Sequence, residues 1–418
     1  MSRDLKNQMK QLLLVSTYFP PQPEAGALRP GYLAKYLPEF GWEATVVTRQ
    51  YGVGQAQVNV STGRDRKLLP TLSSPSPRMK FLKRVPLARK SVAFIRSIAY
   101  FPDESIGWLP EALNLALTAA SKVRFHALLS TFGPPTVHIV GSVLQRKLAL
   151  PWVADYRDPW SYSEYGGKGP VRRSLEYFLE RRLLKRALVL TCVSEFVAKK
   201  LERTHPQTDI RIIPNASDLS EWVDVPDGKP ASFTFCFAGR LYGGQRNPDM
   251  LFAAVQDMRR RGDAAGQAIR FEFYGPDPNV ALDSARRYDL TDIVRTFNTV
   301  PRESILAAER KSAVLLALLK MDARTASETG SKLLEFVGAR RPVLAVGPDK
   351  SLVRGFMDSS GLGYFAGTHE ECKWAIRQLF QRFSDGLFDV ELKSNWKPFT
   401  SRDLAREFSE VLNEIARD

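Results

Sequence analysis

The sequence predicts an α/β protein with two doubly wound domains, each a parallel sheet covered by helices on both faces. Three observations predict this class. Short apolar runs suited to buried strands alternate with helical segments along most of the 418 residues. A stretch rich in Asp, Pro and Gly at 216–232 interrupts the alternation, which then restarts. The length suffices for two domains of ordinary size, so we expect one on each side of this linker.

The first half of the chain repeats the order strand, loop, helix and strand. Residues 12–16 form an apolar run suited to a buried strand, and a long turn containing Gly26 follows. A helix is predicted at 32–40, and Gly41 ends it before a strand at 42–48. Further helices are predicted at 111–123, 134–148, 172–186 and 196–204, and further strands at 127–130, 152–156, 187–193 and 210–213. Because βαβ units join parallel strands, the sheet is predicted to be parallel.

The second half repeats this order after the linker. Predicted strands lie at 233–238, 269–274, 314–319 and 342–346, and predicted helices at 248–261, 305–310 and 401–415. The stretch 325–348 reads as a polar loop, a helix that starts near Gly330 and ends at Gly338, and a buried strand. Free N–H groups at such a helix start favour an anion, and Lys332 would add a positive charge. The alternative is an ordinary αβ unit with surface charges.

Polar residues follow predicted strands in both halves. Asp155, Arg157 and Asp158 lie at the end of the strand 152–156, and a Gly239-Arg240 turn follows the strand 233–238. Ligands of open α/β sheets bind outside the carboxyl ends of the strands. The sequence therefore predicts one cleft, lined by strand ends from two facing domains.

Composition excludes several classes of protein. Hydrophobic residues make up 44% of the chain and charged residues 25%, as in soluble globular proteins, and the apolar runs are too short for a transmembrane helix. The three cysteines are scattered in apolar surroundings, which predicts reduced structural thiols in a cytosolic protein. The four histidines lack metal-ligand spacing, so no metal site is expected.

The net charge of +15 is concentrated in the first half of the chain. Ten Lys and Arg residues lie within 64–96, and a second basic block spans 172–186. Residues 51–90, which contain most of the first block, read as an irregular surface excursion. Interleaved apolar residues favour an anionic membrane surface as the partner of these blocks. A solvated charged face is the alternative. Nucleic acid is not expected, because the chain has no nucleic-acid motif or stacking platform.

Several motifs together resemble the GT-B fold glycosyltransferases of family 4, also called glycosyl transferases group 1. They are FPPQPEAG, TCVSEFVAKKL, IIPNASD, FCFAGRLYGG, FEFYGPD and SKLLEFVGARRPVLAVG, and they span nearly the whole chain. The segment ADYRDPW is similar to a subset of the family that builds bacterial surface polysaccharides. The resemblance implies two facing Rossmann-like domains, an acceptor-side domain at 1–215 and a nucleotide-sugar donor domain at 216–395. A final helical segment, 396–418, would pack back on the first domain.

The resemblance also implies an activity. The expected enzyme is a retaining, metal-independent hexosyltransferase that uses a UDP- or GDP-linked sugar and no other cofactor. Its acceptor would be a lipid-linked or polysaccharide molecule in cell-surface glycan biosynthesis, and the enzyme would be cytoplasmic, peripheral on the inner face of the plasma membrane. One alternative is a nucleotide-sugar epimerase of the same fold, and another is a non-catalytic, basic membrane- or nucleic-acid-binding protein.

Site residues carry over from the family one by one. The donor-binding candidates implied by the resemblance are Gly26, Gly239, Arg240, Arg246, Lys332, Leu333 and Glu335. Arg240 matches the arginine that binds the diphosphate. The lysine expected after it is absent, and Arg246 is the nearest cation. Glu335 matches the glutamate that holds the ribose, whereas the glutamate eight positions earlier is replaced by Ser327.

Three residues are candidates for catalysis and two for the acceptor side. Glu328, one residue out of register, is expected to contact the donor sugar. Asp155 stands where the family often has a histidine near the reacting sugar, so with Arg240 and Glu328 it completes the predicted catalytic set. Arg157 and Asp158 beside it are predicted to face the acceptor.

Overall fold

The chain divides into two compact units. The computed structural model describes residues 9–22, 25–49, 59–63, 100–161, 169–320 and 331–416. Unit 1 comprises Met1–Pro214 and Arg402–Asp418, and unit 2 comprises Asn215–Ser401. The first crossing lies one residue before the predicted boundary at 215, and the second lies six residues after the boundary at 395.

Unit 1 is built on a parallel sheet with seven strands in the described residues. They are β1 (Lys10–Ser16), β2 (Trp42–Arg49), β3 (Asn59–Gly63), β4 (Ala127–Thr131), β5 (Trp152–Tyr156), β6 (Val189–Cys192) and β7 (Asp209–Ile212). Their order across the sheet is β3-β2-β1-β4-β5-β6-β7, with every neighbouring pair parallel. The prediction of an irregular excursion over 51–90 was wrong for β3. Its sequence, NVSTG, has no apolar alternation that would predict a strand, and pairing with β2 supplies its register.

Five helices follow strands of this sheet within the described part of unit 1. They are α1 (Leu28–Tyr36), α2 (Leu109–Ala120), α3 (Thr136–Leu148), α4 (Pro170–Leu184) and α5 (Glu195–Thr204). Local chemistry sets several of their ends. The Ser194 hydroxyl accepts from the Val197 N–H and caps α5, and Pro170 opens α4 where its missing N–H costs nothing.

The central strand of unit 1, β1, is covered on both faces. Leu12, Leu13, Leu14 and Val15 of β1 are all fully buried, which explains the unbroken apolar run. Burying each such side chain contributes about 1.5–3 kcal/mol, before the entropy of ordering it is counted. The central position of β1 in the sheet therefore follows from its sequence.

Unit 2 repeats the architecture with six strands. They are β8 (Thr234–Ala238), β9 (Arg270–Tyr274), β10 (Val294–Phe297), β11 (Val314–Leu318), β12 (Val343–Val346) and β13 (Gly363–Ala366), in the order β10-β9-β8-β11-β12-β13. Its described helices are α6 (Asp249–Arg260), α7 (Ala264–Ala268), α8 (Pro278–Arg287), α9 (Arg302–Lys311), α10 (Ser331–Ala339), α11 (Leu352–Ser360) and α12 (His369–Ser384). All pairs are parallel. Two doubly wound parallel sheets confirm the predicted fold class.

The two faces of the unit 2 sheet carry separate cores. Phe235 and Phe237 of β8 pack into one cluster, whereas Cys236 between them packs into another. Alternate residues of a strand point to opposite faces, so helices must cover both. Cys236, Cys192 and Cys372 are free and buried.

The two crossings between the units meet at a short pairing within unit 2. Ser217 forms a parallel bridge with Thr400, its N–H donates to Phe399, and its carbonyl accepts from the Ser401 N–H. Directly after Ser217, a 3-10 helix spans Leu219–Trp222 and is capped by the Asp218 carboxylate.

The last described helix, α13 (Ser401–Ile415), packs on unit 1. Its Asn413 accepts from the Trp42 indole N–H at 3.1 Å, and its Phe408 ring lies 5.1 Å from the Arg29 guanidinium. Phe408 is fully buried, so α13 is part of the core of unit 1. None of the helices that the structure describes is long and apolar enough to span a bilayer.

Gly338 does not end α10, contrary to the sequence prediction. It lies inside the helix, and a Cβ at this position would come within 2.1 Å of the Trp222 indole. The helix ends one residue later, and Arg340 takes the left-handed conformation with φ of 57°. Gly338 is therefore required by close packing against Trp222, and an arginine occupies the turn that sequence reasoning assigns to glycine.

Candidate functional site

The crevice of unit 2 opens where its strand order reverses. The chain runs from β8 outward through β9 to β10, and then crosses back to β11 on the other side of β8. Loops that leave the carboxyl ends of β8 and β11 therefore diverge, which makes this edge a ligand site in open α/β sheets. The loop after β8 begins with Gly239 and Arg240. The loop after β11 begins with Leu319 and Lys320 and leads towards α10 through residues beyond the described part.

Two glycines let the strand ends come close together at this crevice. A Cβ on Gly275, the residue after β9, would lie 2.1 Å from the Gly239 carbonyl oxygen. Gly275 also has φ of 155°, which side chains rarely allow. The Gly239 N–H donates to the Tyr274 carbonyl at 2.9 Å and extends the sheet by one residue. The floor of the crevice is therefore bare backbone.

A tight turn follows Arg240. Tyr242, Gly243 and Gly244 have positive φ angles of 50°, 60° and 95°. The Asp277 carboxylate fixes this turn by accepting from the N–H groups of Leu241 and Tyr242 at 3.0 and 3.1 Å. Holding a tyrosine in this conformation costs about 1–3 kcal/mol, which these hydrogen bonds offset.

Cations gather at this turn. Arg240 is exposed and forms no hydrogen bond or ion pair with the residues that the structure describes. The Arg246 guanidinium lies 5.1 Å from the centre of the Tyr242 ring, and the Lys320 ammonium lies 5.2 Å from the same ring. Sequence reasoning missed Lys320 and Tyr242. The sequence signal for Lys320 was its position after the predicted buried strand at 314–319.

Glu335 on α10 is the centre of a buried network of charges. Its side chain is 8% exposed, and Oε2 accepts from Arg302 Nη1 at 2.9 Å and Lys332 Nζ at 3.1 Å. Burial would raise the pKa of Glu335, but Lys332 and Arg302 outweigh it and hold that pKa below its usual value. Oε1 accepts from none of the described residues.

Lys332 is held between two carboxylates. Its ammonium lies 3.1 Å from Glu309 Oε1 as well as 3.1 Å from Glu335 Oε2. Burial lowers the pKa of Lys332, whereas Glu309 and Glu335 raise it, with a net rise. Burial raises the pKa of Glu309, although Lys332 opposes this. The surroundings of Lys332 thus match its charge, which does not support its predicted role as a point charge for the diphosphate.

Arg302 and Leu333 are the other residues near α10 that bear on the site. Arg302 also pairs with Glu221 of the 3-10 helix at 2.6 Å. Leu333, predicted to bind the donor, is 2% exposed and packs in the core with Trp222 and Phe336. Its contacts are those of a core residue, so the structure does not place it on a ligand surface. Glu328, predicted to touch the donor sugar, and Ser327 lie outside the described residues.

Arg157 ties together two loops at the corresponding edge of unit 1. Its Nη1 donates to the Gly26 carbonyl after β1, and its Nε donates to the Phe132 carbonyl after β4, both at 2.6 Å. A Cβ on Gly26 or Gly133 would lie 2.8 or 2.7 Å from this guanidinium. Burial lowers the pKa of Arg157, and Asp158 opposes this. The Arg157 guanidinium therefore fills the space beside Gly26, and Asp158, the residue after Arg157, is exposed.

Asp155 lies inside unit 1 and not on its surface. It is fully buried, and Arg29 Nε and Nη2 each donate to one of its oxygens at 2.9 Å. The hydroxyls of Thr131 and Thr191 donate to the same two oxygens at 2.8 Å. Burial would raise the pKa of Asp155, but Arg29 and the hydroxyls hold it below its usual value. With all its oxygens occupied, Asp155 is an internal anchor, and the geometry does not support the predicted catalytic role.

His138 is also internal. It is fully buried among aromatic rings, its Nδ1 lies 2.8 Å from the Ser130 hydroxyl, and burial lowers its pKa to about 3. The ring is therefore neutral at ordinary pH and belongs to the core.

One family model matches the first part of the chain. Residues 27–216 match the model of the glycosyl transferase 4-like domain. A search of curated proteins found no match.

Solved structures share the whole fold. HepE of Anabaena in complex with UDP aligns with a TM-score of 0.61 and 12% identity, covering 97% of this chain and 100% of that one. Sucrose-phosphate synthase of Thermosynechococcus elongatus aligns with a TM-score of 0.60 and 14% identity, covering 98% and 95%. WaaG, a glycosyltransferase involved in lipopolysaccharide biosynthesis, gives 0.56 and 12%, covering 97% and 99%. The chain thus shares the GT-B fold of these solved structures, and its residues 27–216 match the glycosyl transferase 4-like domain, in agreement with the resemblance carried by its sequence motifs.

Proposed function

We propose that this protein is a retaining, metal-independent glycosyltransferase that moves a sugar from a nucleotide diphosphate to a polysaccharide or lipid-linked acceptor in cell-surface glycan synthesis. One observation carries the proposal: an exposed arginine, Arg240, follows a glycine-lined crevice at the strand reversal of unit 2. The match to a glycosyl transferase 4-like domain supports it. Since the structurally similar HepE is in complex with UDP, a UDP-linked donor is the first to test, and a GDP-linked donor the second.

The crevice suits the charge that develops during transfer. The bond between the anomeric carbon and the phosphate oxygen breaks, and negative charge collects on the departing diphosphate. The acceptor oxygen bonds to the anomeric carbon, and its proton passes to the departing phosphate. Arg240, Arg246 and Lys320 would stabilise the diphosphate, with Arg240 able to bind two of its oxygens at once. These three cations would neutralise the charge of the diphosphate, which a divalent metal neutralises in other transferases.

Glu335 is suited to hold the ribose. Arg302 and Lys332 fix the carboxylate through Oε2 and keep it ionised. We propose that Oε1 accepts hydrogen bonds from the ribose hydroxyls, which a charged acceptor makes stronger than a neutral one. Lys332 then acts as a positioning residue, because its charge serves Glu335 and Glu309. Glu328 keeps its proposed contact with the donor sugar.

The acceptor side is proposed to lie at the edge of unit 1 that Arg157 organises. Arg157 holds the Gly26 loop, and the exposed Asp158 beside it keeps its proposed place on the acceptor side. A lipid-linked acceptor would lie in the cytoplasmic leaflet of the plasma membrane. The protein would then bind at that surface to reach it.

Thermal-shift measurements with nucleotide diphosphates test the donor site. A ligand at 100 times its dissociation constant stabilises by about 2.7 kcal/mol, which for a unit of about 190 residues raises the melting temperature by about 5–11 °C. UDP or GDP should give this shift, and Arg240→Gln should reduce it. The matched control is Arg295→Gln, since Arg295 is an exposed arginine on the edge strand β10. No shift with either nucleotide would refute the donor site.

Labelled donors test the reaction itself. Incubation with radiolabelled UDP- and GDP-sugars and a membrane extract should move label into lipid or polysaccharide. Label that appears in a new nucleotide sugar without any acceptor would instead identify an epimerase. Nucleotide binding with neither outcome would show that the donor site exists and that the transferase assignment is wrong.

A further inference from the structure

The outward face of α4 carries an apolar stripe. Val171, Leu175 and Phe178 are 74%, 56% and 67% exposed. Their spacing of four and then three residues places them in one line along the helix. The leucines of β1, by contrast, are all buried. An exposed line of three large apolar side chains on a monomer marks an interaction surface.

Both acids of α4 face the interior. Glu176 is fully buried and accepts from Arg172 Nε at 2.9 Å. Glu180 is 2% exposed and accepts from the Tyr156 hydroxyl at 2.8 Å and the Ser161 N–H at 3.1 Å. The carboxylates of this helix are therefore unavailable to an external partner.

Within residues 170–186, which the structure describes, every exposed charged residue is a cation. The exposed charged residues between 170 and 186 are Arg173, Arg181, Arg182, Lys185 and Arg186. In the sequence, this segment contains both acidic and basic residues. Counted by exposure, its outer face has five positive charges and no negative one. This separation of signs exists only in the folded state.

The positive charges and the apolar stripe on the outer face of α4 together indicate the kind of partner it binds. An apolar line edged by arginine and lysine matches the boundary between acyl chains and anionic headgroups of a bilayer. A second copy of the chain would set one all-positive face against another, which is unfavourable. Nucleic acid would match the charge but would leave the apolar line without a counterpart.

The place of α4 in the fold fits this partner. The helix follows β5, and in a βαβ unit it starts at the sheet edge where that strand ends. Val171, in its first turn, thus lies towards the edge that carries Arg157 and Asp158. A bilayer bound along α4 would be near the proposed acceptor residues.

We propose that α4 docks unit 1 on an anionic phospholipid bilayer, with Val171, Leu175 and Phe178 entering the headgroup boundary and the five surrounding cations contacting lipid phosphates. This inference extends the proposed function, because a lipid-linked acceptor would be presented at such a surface. Docking can be measured without sugar transfer, so either proposal can fail while the other holds.

Vesicle flotation of the full chain tests the docking. Binding to vesicles of phosphatidylcholine with 30% phosphatidylglycerol should exceed binding to pure phosphatidylcholine by at least about 10-fold, and 0.5 M NaCl should weaken it. The double variant Leu175→Ser, Phe178→Ser should lose about 10-fold or more. Its control is Leu387→Ser, because Leu387 is 54% exposed on unit 2. Equal binding by the double variant and wild type would overturn the proposal.

A second measurement locates the contact. Phe178→Trp should show a blue shift and quenching by brominated lipid on the anionic vesicles. Vesicle binding without quenching would place the contact elsewhere and overturn the assignment to α4. So would sedimentation that shows a dimer broken by the double variant, which would identify a second copy as the occupant. The nucleotide-induced thermal shift of the double variant should equal that of wild type.

Discussion

Asp155→Asn is the sharpest test of the anchor inside unit 1. The substitution preserves the size of the side chain and removes its charge. Arg29, 3% exposed, then keeps neutral acceptors, the side-chain oxygen that remains at position 155 and the carbonyls of Ile213 and Pro214, but loses its buried counter-charge. Breaking one partner of a buried ion pair costs about 3–5 kcal/mol. For a unit of about 230 residues this lowers the melting temperature by about 6–20 °C.

The assay is calorimetry with urea titration at neutral pH, followed by nucleotide binding at a temperature where the variant is folded. The matched control is Asp209→Asn, which breaks the exposed Arg211–Asp209 pair of the same unit and should cost at most about 1 kcal/mol. We expect the Asp155 variant to bind nucleotide as wild type does. Loss of sugar transfer with an unchanged melting temperature would refute the anchor and restore a catalytic role.

The same pair predicts a pH dependence. The pKa of Asp155 is lower in the folded protein than its ordinary value. Its contribution to stability is therefore complete above the ordinary pKa of about 3.9 and is lost as the pH falls through the lower folded value. Wild type should lose this contribution in acid, and Asp155→Asn should show a smaller loss over the same range. Replacing both partners, with Arg29→Met and Asp155→Leu, should cost less than the single change.

Three further predictions concern the donor side and the thiols. Arg240→Gln should lower kcat about 10²–10³-fold with a smaller change in donor KM, measured by steady-state kinetics, and an unchanged kcat would remove Arg240 from the chemistry. Gly275→Ala should lower the melting temperature and weaken nucleotide binding, because its Cβ would meet the Gly239 carbonyl at 2.1 Å, and normal binding would contradict the close approach. Cys192 and Cys372 are buried with pKa values raised to about 11 and about 12, so iodoacetamide at pH 8 should label them slowly until urea is added.

Much of the fold was predictable because a buried strand has an apolar sequence that can be recognised in that segment alone. The apolar runs of β1 and β12 predict strands without knowledge of their neighbours, since a strand covered on both faces is mostly apolar. β3 was missed because its sequence carries no such mark and its pairing with β2 decides its structure. Gly338 was assigned to a helix end because its contact, Trp222, is far away in the sequence.

The candidate site was harder to predict because roles depend on partners. Asp155 follows the pattern of a site residue at a strand end, but its partner Arg29 lies 126 residues earlier and draws it into the interior. Lys332 reads as a phosphate ligand until Glu309 is placed beside it. On α4 the sequence predicts a basic block, but it does not show which side chains are exposed. Tyr156 and Arg172 decide this, because they bind the two glutamates inside and leave the apolar side in solvent.

The packing of α13 on unit 1 sets the order in which the chain can fold during synthesis. Unit 2 is one continuous segment, whereas unit 1 needs a helix that the ribosome makes after all of unit 2. The Phe408 ring beside Arg29 and the bond from Trp42 to Asn413 cannot form until that helix emerges. Unit 2 can thus complete its core while the surface of unit 1 that α13 covers is still exposed. We therefore expect the first domain of a nascent chain to need chaperones for longer than the second.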